Sequence, residues 1–206
     1  MTTNQPTSTN GNNETAQFLA PQAPTTAGDS DDLNVLYANP YDIEARGFRF
    51  TSLEDYNAKY AANRNGWGGV VEEYSIEFLD GNDEDSDLFA QLRVNQGTLS
   101  TWFDLMDRDL STEQKAALAW LVGDRGAKLD DALDQLDDVM IQCGELNDVG
   151  GELFEELYAE ELGKLPEALR YYFDSDAWTR DAKLNGDFDT ITFGGHDYVI
   201  TNANQF

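Results

Sequence analysis

A net charge of −27, from 40 Asp and Glu against 13 Lys and Arg, sets the terms on which this chain of 206 residues folds. Small soluble domains carry a net charge of about 2 to 8, and a larger excess pushes a compact state apart by self-repulsion. Two explanations compete for such an excess. Either it serves a very salty environment, or it forms a field that a cationic partner reads. Hydrophobic residues at 40% and aromatic residues at 12% supply a packed core, so the chain is not a disordered acidic tail.

The same charge repels nucleic acid and anionic lipid, so neither is an expected partner and a basic protein is. Cys143 is the only cysteine, which rules out an internal disulfide and fits a cytoplasmic protein. No apolar run approaches the roughly 20 residues of a membrane span, and the first residues lack the basic and hydrophobic stretches of a signal peptide. Length fits one or two domains.

Residues 1–32 are dominated by Thr, Asn, Gln, Ala and Pro and read as a disordered tail. From Leu33 the pattern changes. Leu33 to Ala38 and Gly47 to Thr51 form an expected antiparallel strand pair, and Ser52 with Asp55 caps a helix carrying Leu53, Tyr56 and Tyr60. The alternation from Val70 to Leu79 completes a small sheet, which makes residues 33–80 an α+β subdomain. Asp80 to Asp87 reads as an acidic loop. Residues 81–145 then form an acidic helical middle, with segments at Asp87 to Val94, Leu99 to Asp107, Thr112 to Val122 and Asp130 to Val139. Ser111 with Gln114 is a capping box. Residues 146–206 form a C-terminal α+β subdomain. Its amphipathic helix from Asn147 to Leu162 has Leu153, Phe154, Leu157 and Tyr158 as its stripe, and further helices start at Pro166 and at Asp174 or Ser175. A hairpin ends it, with strands Phe188 to Phe193 and Tyr198 to Thr201 joined by Gly194 to Asp197. The fold class is α+β.

The charge is uneven. Residues 33–80 hold eight acids and four bases, whereas residues 81–206 hold 28 and nine. Asp130, Asp131, Asp134, Asp137 and Asp138 fall within about 120° on a helical wheel, opposite Leu129, Leu133 and Leu136. Four like-charge pairs at spacings of three or four cost roughly 0.2 to 0.5 kcal/mol each, and Asp is a poor helix former. Helix stability alone does not select this face. The expected helix from Asp148 to Gly163, about 24 Å long, carries Asp148, Glu152, Glu155, Glu156, Glu160 and Glu161, and one DNA strand carries about seven phosphates over that length. Such faces normally interleave Lys and Arg, and this one does not.

Sites for chemistry do not emerge. The Asp80 to Asp87 stretch has Asp85 where a calcium loop needs Gly and Gln91 where it needs a bidentate Glu. His196 is the only histidine and falls in an expected turn, which removes triads and multi-histidine metal sites. Cys143, between Ile141 and Leu146, reads as a small core residue. No catalytic, cofactor or metal residues are expected, and the chain does not read as an enzyme.

The segment Leu165 to Ile191 (LPEALRYYFDSDAWTRDAKLNGDFDTI) resembles the C-terminal signature of the ArdA antirestriction proteins, L-P-x-x-L-x-x-Y-x-D-Y-x-A followed by R-D, G-D and an aromatic. Leu165, Pro166, Leu169, Tyr172, Asp174, Ala177, Arg180, Asp181, Gly186, Asp187 and Phe188 fall in place. Glu72 to Phe78 resembles the family's E-E-(Tyr or Trp)-x-I segment, and Leu36 to Phe50 more loosely its first hairpin. Ser175 stands where the family usually has Tyr, and Pro40 and Arg46 replace a more typical Y-N-x-G turn. The resemblance spans residues 33–206. It implies an elongated, dimeric mimic of B-form DNA that occupies the groove of type I restriction-modification enzymes, at their methyltransferase core. Carboxylates at Asp130, Asp131, Asp134, Asp137, Asp138, Asp148, Glu152, Glu155, Glu156 and Glu160 would stand for phosphates. The motif would place Leu165, Tyr171, Tyr172, Phe173 and Trp178 in a homodimer interface, although the same aromatics would equally fill a C-terminal core. An acidic chaperone for basic DNA-binding proteins shares these electrostatics, and a salt-adapted domain stands as the third reading.

Overall fold

The computed structural model describes Met1, residues 33–170 and residues 172–206, so the expected tail, Met1 apart, lies outside the described residues. Strand β1 (Val35–Pro40) buries Leu36 and Ala38 completely and leaves Val35 and Tyr37 half-buried, the alternation of a strand with one face on a core. It is the centre of an antiparallel sheet, between β2 (Phe48–Phe50) and β3 (Tyr74–Asp80). Helix α1 (Leu53–Ala62) begins as expected, with the Ser52 hydroxyl accepting from the Asp55 N–H at 3.1 Å. Tyr56 from α1 sets its ring 4.9 Å from Phe50, and this seats the helix on the sheet.

The next segment corrects the expected acidic loop. Helix α2 (Asp83–Gln91) starts four residues earlier than the periodicity indicates, because the Asn82 side chain accepts from the Asp85 N–H at 2.7 Å. Asp83, Glu84 and Asp85 then occupy the first turn, where unpaired N–H groups favour negative charge. Glu84, Asp85 and Asp87 serve the fold itself. Buried Asp85 accepts from Asn34 at 2.7 Å and Lys115 at 2.8 Å, Glu84 accepts from Thr112 at 3.0 Å, and Asp87 accepts from the Gly194 N–H at 2.7 Å.

Helices α3 (Leu99–Met106) and α4 (Thr112–Ala119) follow, and the Ser111 and Gln114 capping box is present. Residues Ala116 to Leu121 are all buried, so this segment runs through the core instead of along its surface. It widens into a π-helical turn over Trp120–Asp124. Helix α5 (Leu129–Gln135) comes next, then a short strand β4 (Ile141–Cys143) that the sequence pattern does not reveal. The C-terminal part comprises α6 (Leu146–Leu157), α7 (Ala159–Gly163), α8 (Glu167–Arg170), α9 (Ser175–Asn185), β5 (Asp189–Phe193) and β6 (His196–Ile200). A second antiparallel sheet has the order β4-β6-β5. Helices beside two small antiparallel sheets make the fold α+β.

Two local readings need correction. The hairpin turn is the pair Gly194 and Gly195, both at positive φ (56° and 77°), and His196 already belongs to β6. A two-residue turn of this hand needs two left-handed residues, and glycine adopts that conformation without steric cost. Cys143 is exposed and not a core residue, although it shares the face of β4 from which Ile141 packs against the core.

Candidate functional site

In the α5 segment Ala132 and Leu136 are buried, with Leu129 and Leu133 half-buried against the core. Asp130, Asp131, Asp134, Asp137 and Asp138 are all exposed. The division between faces is the expected one, but the backbone is not a single α-helix. It tightens after Gln135 into a 3-10 turn over Leu136–Asp138, which moves Asp137 and Asp138 off the wheel of 3.6 residues per turn. Asp137 accepts from the Gln114 amide at 3.3 Å. Among the described residues none of the five enters an ion pair.

Asp148, Glu152, Glu155, Glu156 and Glu160 are exposed as well. They do not share one continuous helix. Tyr158 (φ −106°, ψ 14°) breaks the expected run, ending α6 and starting α7. α6 is held by its other side, where Val149 and Gly150 are buried. A Cβ on Gly150 would lie 2.3 Å from side-chain atoms of the fully buried Thr179 in α9, so only glycine permits this helix crossing. Of the five acids only Glu160 forms an ion pair among the described residues, with Lys164 at 2.7 Å, and Glu152 accepts from Gln142 at 3.2 Å.

Several of the chain's cations are engaged within the fold. Lys115 is held by Asp85, and Lys183 by Asp189 at 3.2 Å and Thr190 at 2.6 Å. Arg125 donates to the carbonyl oxygens of Ala203 and Phe206 and stacks over Trp120, while Arg170 donates to the carbonyls of Gly163 and Leu165 at the end of α7. Burial alone would raise the Asp189 carboxyl. Donation from the Trp120 indole, the Thr190 N–H and Lys183 outweighs it and holds the group below the usual carboxylate range. These four cations stabilise packing and carbonyl ends and pair with none of the ten exposed acids.

The C-terminal motif divides by residue. Trp178 is half-buried in an aromatic cluster, edge-on to Phe188 at 5.6 Å and to Tyr158 at 6.2 Å, with Phe154 at 5.5 Å. Leu165 is half-buried, whereas Tyr172 and Phe173 are exposed beside exposed Leu169. Tyr171 lies outside the described residues. Asp174 caps α9 by accepting from the Ala177 N–H at 2.9 Å, and Gly186 ends that helix at φ 81°. Two residues of the motif therefore act as helix punctuation.

Among the described residues, no group of three or more His, Cys, Asp or Glu is placed to hold a metal ion, and no helix is long and apolar enough to cross a membrane. Fold and surface together define an α+β protein whose helical middle and α6–α7 segment carry exposed, largely unpaired carboxylates. The model of the antirestriction protein family ArdA matches residues 98–197, from the turn before α3 into β6, and the resemblance drawn from the sequence holds over that span. All fifteen residues expected to act as carboxylate mimics or interface anchors lie inside it; the looser likenesses at Leu36 to Phe50 and Glu72 to Phe78 lie outside. The match supports an antirestriction role in general, and the family is not one of enzymes. No curated protein matches the chain.

Proposed function

We propose that the chain is a stoichiometric inhibitor of type I restriction-modification enzymes, in which fixed carboxylates imitate DNA phosphates and occupy the DNA channel of the methyltransferase core. One observation carries this reading: of the ten carboxylates assigned to mimicry, all are exposed and nine stand outside any ion pair among the described residues. Fixed backbone elements present them, and Lys115, Lys183, Arg125 and Arg170 are engaged elsewhere. Lys and Arg placed to hold phosphates gain the same partners from this surface, so affinity comes from electrostatic complementarity. Exposed Tyr172 and Phe173, with Leu165, Tyr171 and Trp178, supply the homodimer contact, and the inhibitor acts in the cytoplasm without cofactor, metal or catalysis. Competition tests it directly. Purified protein should displace duplex DNA from a type I methyltransferase core at low salt and near equimolar ratio. DNA that stays bound under excess protein would remove the proposal for that enzyme.

A further inference from the structure

A groove of about 420 Å³ adjoins both acidic faces. Leu153 and Leu157 of α6, with Trp178, Phe188 and Met140, form its apolar walls. Met140 and Leu157 are 63% and 58% exposed, so their open apolar surface belongs to one cavity and not to scattered positions. The groove meets each face through its own wall. Asn202, in that wall, donates to the Asp138 carbonyl at 2.9 Å and accepts from the Met140 N–H at 2.9 Å, which ties the groove to the end of the α5 segment. On the other side Glu156 follows Leu153 by three residues on α6 and so stands beside it.

The charge of the groove is one-sided. Among the described residues Asp181 and Asp187 line it, and no Lys or Arg does. Neither is one of the ten carboxylates assigned to mimicry, and both have acceptor capacity to spare. Asp187 accepts from the Asn204 amide at 2.6 Å through one oxygen, while its other oxygen accepts nothing among the described residues. Asp181 is met only by Arg180 at 3.6 Å, beyond hydrogen-bond range. Apolar walls with two open carboxylates suit a side chain that is apolar along its stem and cationic at its tip. Arginine fits better than lysine, because its guanidinium donates from a fixed fork to more than one oxygen, is less strongly hydrated, and stacks on aromatic rings such as that of Trp178. A channel that holds phosphates is rich in such side chains. We propose that this groove takes an arginine side chain of the restriction enzyme's DNA channel, its guanidinium on Asp181 and Asp187 and its stem on Leu153 and Leu157. This rests on the reading under Proposed function. Burial of the stem gives the complex a part of its affinity that salt does not weaken.

The test is equilibrium binding of the full chain to a type I methyltransferase core across a series of NaCl concentrations. Asp181→Asn with Asp187→Asn keeps an acceptor for Asn204 and should weaken binding by about 30-fold. Glu167→Gln with Asp176→Asn removes the same charge away from the groove and should cost less than about threefold. Leu157→Ala should weaken binding by about fivefold equally at low and high salt. Equal losses in the two charge variants, or parent affinity in Leu157→Ala, would overturn the inference. So would a change in the oligomeric state of the free Leu157→Ala chain in sedimentation, which would assign the groove to a second copy of this chain. The free chain tests the occupant without the enzyme: N-acetylarginine amide should shift the Trp178 indole resonance at lower concentration than N-acetyllysine amide, and the same or the reverse order would remove arginine as the occupant. Absence of binding by the unaltered chain to the core at any salt would remove the proposed function, and this inference with it.

Discussion

Tyr56 lies between Phe50 and Tyr60 with its hydroxyl buried and without a hydrogen-bond partner among the described residues. Burial, and after it the nearby hydroxyls of Tyr60 and Tyr74, push that hydroxyl up to about 12. The group is therefore protonated in the folded chain at pH values where the unfolded chain ionises. Its contribution is fully present below the unfolded value of 10 and is lost as pH rises toward 12. Tyr56→Phe removes an unpaired buried polar atom and should raise stability at neutral pH by about 1 kcal/mol. It should also flatten the alkaline limb of the stability curve. Urea unfolding at pH 7 and pH 11 measures both, and equal losses in parent and variant between those values would contradict the assignment.

At the level of elements, the α5 segment is where packing and charge separate most clearly. Neutralising Asp130, Asp131, Asp134, Asp137 and Asp138 to Asn relieves their mutual repulsion and leaves Ala132 and Leu136 on the core. Circular dichroism should show helicity that holds or rises, while inhibition of DNA binding by the target enzyme falls by at least tenfold. Inhibition unchanged in the variant would mean this face takes no part in mimicry. The carboxylates were legible in the sequence because the Leu and Asp positions divide at helical spacing, and exposure follows from that division. Their backbone was not legible in full. Neither Pro nor Gly marks the 3-10 turn after Gln135 or the break at Tyr158. Strand β4 was hidden for a similar reason: three residues give too short an alternation to read, and β6 alone pairs with it. The early start of α2 was legible in principle, since Asn82 with Asp85 three residues on is a capping pattern, but the acidic run obscured it.

For the whole molecule, salt should act with opposite signs on the free chain and on its complex. A net charge of −27 with few paired surface acids opposes folding, and added salt shortens the screening length from about 10 Å at 0.1 M to about 3 Å at 1 M. The same screening removes the attraction between the carboxylates and a basic channel. Between 0.05 and 0.2 M NaCl, thermal melts of the free chain should move upward, while affinity for the methyltransferase core falls by about 10³-fold if six or more phosphates are imitated. Both curves need the same buffers, since either alone admits another reading. Loss of helical signal at 0.05 M, regained only in molar salt, would favour a salt-adapted protein, whose charge serves its own solvation. A melting point that rises while affinity stays flat would leave the acidic surface without a cationic partner in that complex. Only opposite movement of the two curves distinguishes a charge that folding tolerates from one that binding uses.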